Sequence, residues 1–356
     1  IYNHTGSQLE AIVDAYNEYG YKFASYLDGD FCVAIVDFSK RQIIMAKDTF
    51  GTKPMWYNFS GGDFVVASLR SQVTGLMPEA HGRRTLANES QVRSFDGELL
   101  HIHITNYFNF DQYITSTDRW HELFEDAISK RAKTTRKICT SLSSGYDSGM
   151  VNHELKKQNI PFKAWSMGTN ENHDVLLRRY LDMGYNMSLQ SLTQEQYDLQ
   201  TEILKDMCDD PYEQVANMVS SRAESLFKAQ GQQEGYAVYI GGTGADSWMS
   251  FHTSRDVESD EWHWPDDLYP HWPFRGEERN PLPWQGDCRR NSITKVEHIS
   301  GNYGMQARYP MLDKYLVQEY INFDVKIKNR VYKPLCTEYL ERNNVPWSSD
   351  KIGLLF

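Results

Sequence analysis

Basic charge is in short supply. The 356 residues hold 37 Lys and Arg against 48 Asp and Glu, a formal net charge of −11 at pH 7. Affinity for a nucleic-acid backbone comes mainly from clustered cations, so nucleic acid is excluded as the expected partner and small molecules take its place. Long apolar runs are missing too. Nothing approaches the roughly 20 apolar residues that a membrane helix needs, and no charged-then-apolar signal segment opens the chain; the expectation is a cytoplasmic protein with no membrane partner. Cysteine is sparse. The five thiols, at positions 32, 139, 208, 288 and 336, are odd in number, scattered and without a Cys-x-x-Cys pair. That argues against a disulfide framework or a zinc site and for thiols packed as small hydrophobes. An initiator Met is absent as well: Ile1 enters patterned sequence at once, which points to an upstream portion with chemistry of its own.

The length exceeds the usual size of one hydrophobic core, so two domains are expected, at 1–110 and 118–356. The first reads as mainly β around an early helix, with apolar residues at Leu9, Ile12, Val13 and Tyr16 in helical period. Phe31–Val36, a turn at Ser39–Arg41 and Ile43–Ala46 predict a hairpin rich in β-branched residues; Phe64–Ala67 predicts a further strand. Asn106–Asp118 is polar and irregular, as a linker should be, and Arg119–Lys133 returns to helical spacing. Strands and helices then alternate: Ile138–Leu142, Phe162–Met167 and Tyr236–Ile240 as strands, Val175–Met183 and Val215–Ala229 as helices. That is the signature of a parallel sheet with helices on its faces, whose ligands bind beyond the carboxyl ends of the strands. No internal repeat is present. The segment Asp256–Trp284 gathers Trp262, Trp264, Trp272 and Trp284, with Trp248 upstream, and reads first as aromatic packing in an elaborated loop. A metal site using His263, His271 and Asp266 or Asp267, or a substrate-facing lid, are its alternatives.

The strongest chemical signal is Ser141-Leu142-Ser143-Ser144-Gly145-Tyr146-Asp147-Ser148-Gly149, between a hydrophobic strand and a helix expected to begin near Met150. A turn of small residues at a helix N-terminus presents backbone N–H groups and hydroxyls to an anion; the plainer reading is an ordinary strand-to-helix turn. Asp147 would repel a phosphate unless a magnesium ion sat between them.

This segment resembles the S-G-G-x-D-S loop of the ATP pyrophosphatases, which cleave ATP between its α and β phosphates to adenylate a substrate. Ser144 replaces the first glycine. Elsewhere, Leu27-Asp28-Gly29-Asp30-Phe31-Cys32-Val33-Ala34 and Ala46-Lys47-Asp48-Thr49-Phe50-Gly51-Thr52-Lys53-Pro54 are similar to stretches of the glutaminase domain of asparagine synthetases. Lys295-Val296-Glu297-His298 and Ala307-Arg308-Tyr309-Pro310-Met311-Leu312-Asp313 are similar to segments of that family's synthetase domain. The resemblance implies an α/β protein: a glutaminase-like αββα domain of the N-terminal-nucleophile type, incomplete at its start, then an adenine-nucleotide α-hydrolase-like parallel-sheet domain. It also implies ATP and Mg2+ as cofactors and an amide-forming reaction through an acyl-adenylate. Aspartate, with ammonia or glutamine as nitrogen source, is the leading substrate, and a homodimer is compatible with the family.

Residue by residue, the resemblance assigns Leu142, Ser143, Ser144, Gly145, Asp147, Ser148, Met167 and Gly242 to the nucleotide. It assigns Asp147 and Asp246 to magnesium, and Lys351 to charge developing on the phosphates. Two departures stand out. Thr243 replaces a family glutamate that handles the acceptor, which points to another carboxylate, of the β-lactam synthetase or peptide cyclase kind, or to a non-catalytic nucleotide-binding relative. Gln8 stands where an aspartate would bind the ammonium of glutamine, and a neutral amide loses that ion pair. The family's cysteine nucleophile has no counterpart in this chain.

Overall fold

The computed structural model describes residues 8–78, 81–167, 171–190, 193–207, 219–249, 264, 266 and 293–348. They fall into two compact units, one ending at Phe108 and the other beginning at Asn109.

The first unit contains α1 (Gln8–Tyr19), β1 (Cys32–Asp37), β2 (Gln42–Lys47), β3 (Trp56–Ser60), β4 (Asp63–Ala67), α2 (Arg70–Leu76), β5 (Arg83–Arg84), β6 (Glu89–Ser94) and β7 (Leu99–Ile104). Two antiparallel sheets form, ordered β1-β2-β6-β7 and β4-β3-β5. The expected hairpin is there, with Val33 opposite Ala46 and Val36 opposite Ile43. Its turn is held by Asp37, which accepts from the Ser39 hydroxyl at 2.6 Å and the Lys40 amide at 2.9 Å. Strand β2 lacks polar alternation because both faces are covered. Ile44 and Ala46 pack with Ala15, Phe23 and Val92, while Ile43 and Met45 pack with Met55 and Tyr57. Trp56 and Val65 meet Val73 of α2 on the outer face of the second sheet. The layers are therefore helix, sheet, sheet, helix, as expected.

The second unit contains α3 (Asp118–Ala132), β8 (Lys137–Ser141), α4 (Tyr146–Lys157), β9 (Phe162–Met167), α5 (His173–Met183), β10 (Met187–Gln190), α6 (Gln194–Met207), α7 (Val219–Gln233), β11 (Tyr236–Ile240), α8 (Ala245–Met249), α9 (Thr294–Asn302), β12 (Gln306–Arg308), α10 (Lys314–Ile321), α11 (Val325–Lys328) and α12 (Pro334–Arg342). Five parallel strands run in the order β10-β9-β8-β11-β12. From β8 the chain moves outward to β9 and β10, then returns to place β11 on the other side of β8. The order reverses between β8 and β11, and a crevice opens at such a switch point beyond the strand ends. Helix α7 runs to Gln233, past the expected end at Ala229; its expected start at Val215 lies outside the described residues. Helix α4 starts at Tyr146, not near Met150.

Candidate active site

The early start of α4 puts Asp147 in its first turn, where a carboxylate faces the positive end of the helix dipole. Gly145 is the N-cap, in an extended conformation. The loop before it is tied down by its own side chains. The Ser143 amide donates to Ser148 Oγ at 3.0 Å, and the Gly145 amide donates to Ser143 Oγ at 3.2 Å. Asn152, one turn further along α4, donates to Ser141 O and Ser148 O and accepts from Thr140 Oγ1. Strand, loop and helix thus form one rigid piece.

Two residues that sequence reasoning passed over complete the loop. Glu171 Oε2 accepts from both the amide and the hydroxyl of Ser144, the former at 2.6 Å. Arg179 of α5 donates to the carbonyls of Ser143 and Gly145, and its Nε donates to Pro346 O at 2.9 Å. Burial lowers the Arg179 pKa to about 10 against the opposing charge of Glu171. The guanidinium lies so close to Gly149 that a Cβ there would sit 2.2 Å from its terminal nitrogen.

Across the switch point, Gly242 follows β11, and a Cβ on it would meet Asp147 Cβ at 2.8 Å. Only glycine permits that approach. Thr243 is half-buried in the turn that follows, and Asp246 lies in the first turn of α8. Between the two aspartates sits Lys333. Its ammonium donates to both carboxylate oxygens of Asp147 at 2.8 Å and to Asp246 Oδ1. Lys333 is 3 % exposed, while the Asp246 side chain is 62 % exposed. Burial alone would lower the Lys333 pKa, yet the two carboxylates outweigh it and hold it well above the usual lysine value. Its backbone is left-handed (φ 47°, ψ 61°) directly before Pro334, the first residue of α12. A non-glycine residue there carries strain of about 1–3 kcal/mol that the surrounding contacts sustain.

The loop residues Leu142, Ser143, Ser144, Gly145, Asp147 and Ser148 are therefore gathered with Gly242 and Asp246, and Met167 ends the neighbouring strand β9, buried. Gln8 opens α1 in the other unit. Lys351 lies outside the described residues, as do His263, His271 and most of the tryptophan-rich segment. Trp264 is described and buried, exchanging hydrogen bonds with Asn329 and standing edge-on to Tyr320 at 5.9 Å. Trp248 does likewise at 5.0 Å, so at these positions the aromatics pack. A cleft of about 610 Å³ runs along the flank of α4, lined by Leu142, Gly149, His153, Arg178, Asn344 and Trp347 among others. Neither Asp147 nor Asp246 lines it.

Two carboxylates converging from the first turns of different helices on one cation form a hard-oxygen donor set of the kind magnesium uses beside phosphates and water. Among the described residues no larger group of His, Cys, Asp and Glu is poised to hold a metal. Lys333, Glu171 and Arg179 gave little signal in the sequence. Each is a charged residue outside any recognised motif, and such residues usually face solvent.

Comparison with known proteins agrees with this division. The glutamine amidotransferase domain model matches residues 2–105 and the asparagine synthase model matches residues 119–291. Putative asparagine synthetase 1 of Methanocaldococcus jannaschii is 21% identical over 98% of this chain and 64% of its own length. Asparagine synthetase B of Escherichia coli is 26% identical over 43% of this chain and 28% of its own. The chain thus spans less than two thirds of the length of these relatives. Among solved structures, NMN synthetase of Francisella tularensis covers 57% of this chain at 16% identity with a TM-score of 0.29. These matches place a glutamine amidotransferase domain ahead of an asparagine synthase domain in this chain.

Proposed function

We propose that this protein is an ATP-dependent amide ligase that activates a carboxylate as its acyl-adenylate, with aspartate as the leading substrate and ammonia or glutamine as the nitrogen source. One observation carries the reading: the serine-rich loop after β8 and the Asp246 turn after β11 meet at the switch point, with Asp147 and Asp246 converging on one cation. In this proposal Ser143, Ser144, Gly145 and Ser148 hold the pyrophosphate part of ATP, and Leu142, Met167 and Gly242 border the nucleotide. Asp147 and Asp246 would hold magnesium, which when bound neutralises phosphate charge and favours departure of pyrophosphate. Arg179 keeps the loop carbonyls turned away from the anion, and Lys351 offsets the charge that develops as pyrophosphate leaves. Gln8 would face glutamine in the amidotransferase domain.

A second reading is favoured by Thr243. A neutral hydroxyl in place of an acid is poorly suited to proton transfer near neutral pH, which supports a ligase acting on a different carboxylate. Exchange of labelled pyrophosphate into ATP separates these readings, because adenylation is reversible and exchange requires an activated carboxylate. Exchange with aspartate is expected, falling by about tenfold or more in Lys351→Ala, or about 1.4 kcal/mol of transition-state stabilisation. Exchange with a larger amino-acid derivative and none with aspartate would favour the second ligase. No exchange across a broad carboxylate panel, in a preparation that binds ATP, would leave a non-catalytic nucleotide-binding protein.

A further inference from the structure

We propose that Glu171 and Lys333 are internal stand-ins for the phosphate and the metal of a magnesium-nucleotide ligand, so that the site admits the two ions together and neither alone. The inference rests on the nucleotide reading and concerns how that site is regulated. At the anion seat, consecutive loop amides already have acceptors. Ser143 N–H is taken by Ser148 Oγ, Gly145 N–H by Ser143 Oγ, and Ser144 N–H by the carboxylate of Glu171. Glu171 also takes the Ser144 hydroxyl, so one of its oxygens makes the two contacts that a phosphate oxygen would make on this loop. Ser144 is 2 % exposed and Glu171 8 %. A phosphate arriving without a counter-ion would have to displace this carboxylate and then share the site with Asp147.

The cation seat is filled in the same way. The Lys333 ammonium spends its three donors on Asp147 Oδ1, Asp147 Oδ2 and Asp246 Oδ1. A magnesium ion bound to both carboxylates needs oxygens at about 2.1 Å, and those oxygens are engaged by the ammonium. Evicting Lys333 with metal alone would leave a buried ammonium without an anion, at a cost of several kcal/mol. A magnesium nucleotide removes both objections. The metal replaces the ammonium between the aspartates, the phosphates replace Glu171 on the loop, and Lys333 finds a phosphate as its new partner. Strain in the left-handed Lys333 backbone lies at the residue that must move.

Glu171→Gln keeps the shape of the anion stand-in and removes its charge; Lys333→Met keeps the length of the cation stand-in and removes its charge. Pyrophosphate binding without divalent ions is read by calorimetry, and Mn2+ binding without nucleotide by its electron-spin signal, on the full chain with folding checked by circular dichroism. Relative to wild type, Glu171→Gln should bind pyrophosphate about tenfold more tightly or better, and Lys333→Met should do the same for Mn2+, because the apparent affinity of a mostly closed site falls by its open fraction. Wild-type affinity for pyrophosphate equal to that of Glu171→Gln overturns the proposal, and so does free Mn2+ bound by wild type at the aspartate pair and lost in Asp246→Asn. These two arms decide the matter even if Lys333→Met does not fold. If both variants gain their ion while wild type fails to bind MgATP, the stand-in roles hold and the nucleotide reading falls.

Discussion

At Gly149 a single added methyl group would meet the side chain that holds the serine-rich loop. The glycine sits on α4 against the Arg179 guanidinium, which in turn holds the Ser143 and Gly145 carbonyls. A methyl group at 149 must push that guanidinium away, and overpacking of this kind costs about 1–3 kcal/mol. Gly149→Ala should lower the urea midpoint accordingly and weaken nucleotide binding. The double variant with Arg179→Ala should be less destabilised than the sum of the two single changes, because the clash disappears with the side chain; strict additivity would mean that the two do not meet. Lys328 supplies a pH test at the same scale. It is 2 % exposed, donates to Gln112 Oε1 and Ile321 O, and burial pushes its pKa down to about 7. In the unfolded chain the value is about 10.4, so between about pH 7 and 10.4 the unfolded state binds the extra proton and this group makes stability rise with pH. Lys328→Met should show a shallower rise across that window than wild type in urea titrations at several pH values. Equal slopes would mean that Lys328 stays charged when folded.

At the scale of elements, α4 and α5 together hold the serine-rich loop. Helix α4 contributes its N-terminus, and α5 contributes Arg179 from its body and Glu171 from just before its cap. Asn172 caps α5 by accepting from the Val175 amide at 3.1 Å, and its own amide donates to Ser144 Oγ at 3.3 Å. The cap therefore anchors the loop as well as the helix. Asn172→Ala should cost about 1 kcal/mol through the lost cap, read as a lower urea midpoint. Nuclear magnetic resonance of the Ser144 amide should report a changed environment, whereas an unchanged signal would confine Asn172 to capping.

At the scale of the whole molecule, the switch point predicts where a ligand leaves its mark. MgATP should slow hydrogen exchange in residues 142–148 and 241–249 and around 333, since these segments meet at the aspartate pair. The amidotransferase strands β1 and β2, paired along their length, should be unaffected. Protection mapping instead to the cleft beside His153 and Trp347 would move the nucleotide to the other flank of α4.

The sequence by itself determined the elements whose stabilisation is local. The hairpin of β1 and β2 follows from β-branched runs flanking a polar turn. The succession from β8 through the serine-rich loop to α4 follows from an apolar run, small residues and helical spacing, and the order of the two domains follows from stretches read one after another. Helix α4 begins earlier than its sequence suggests because Tyr146, Asp147 and Ser148 look like turn residues, and only the capping geometry at Gly145 shows that they already lie on the helix. Tertiary structure decided the rest. No local pattern places β11 against β8, and that pairing alone brings Asp246 to Asp147 across about a hundred residues. Nor does composition distinguish Lys333, Glu171 and Arg179 from charged residues that stay in water. Each is buried because hydrogen-bonding partners wait at a site assembled from distant segments, carboxylates for Lys333, carbonyls for Arg179, an amide and a hydroxyl for Glu171, and a partner that exists only after folding leaves no periodic trace in the chain.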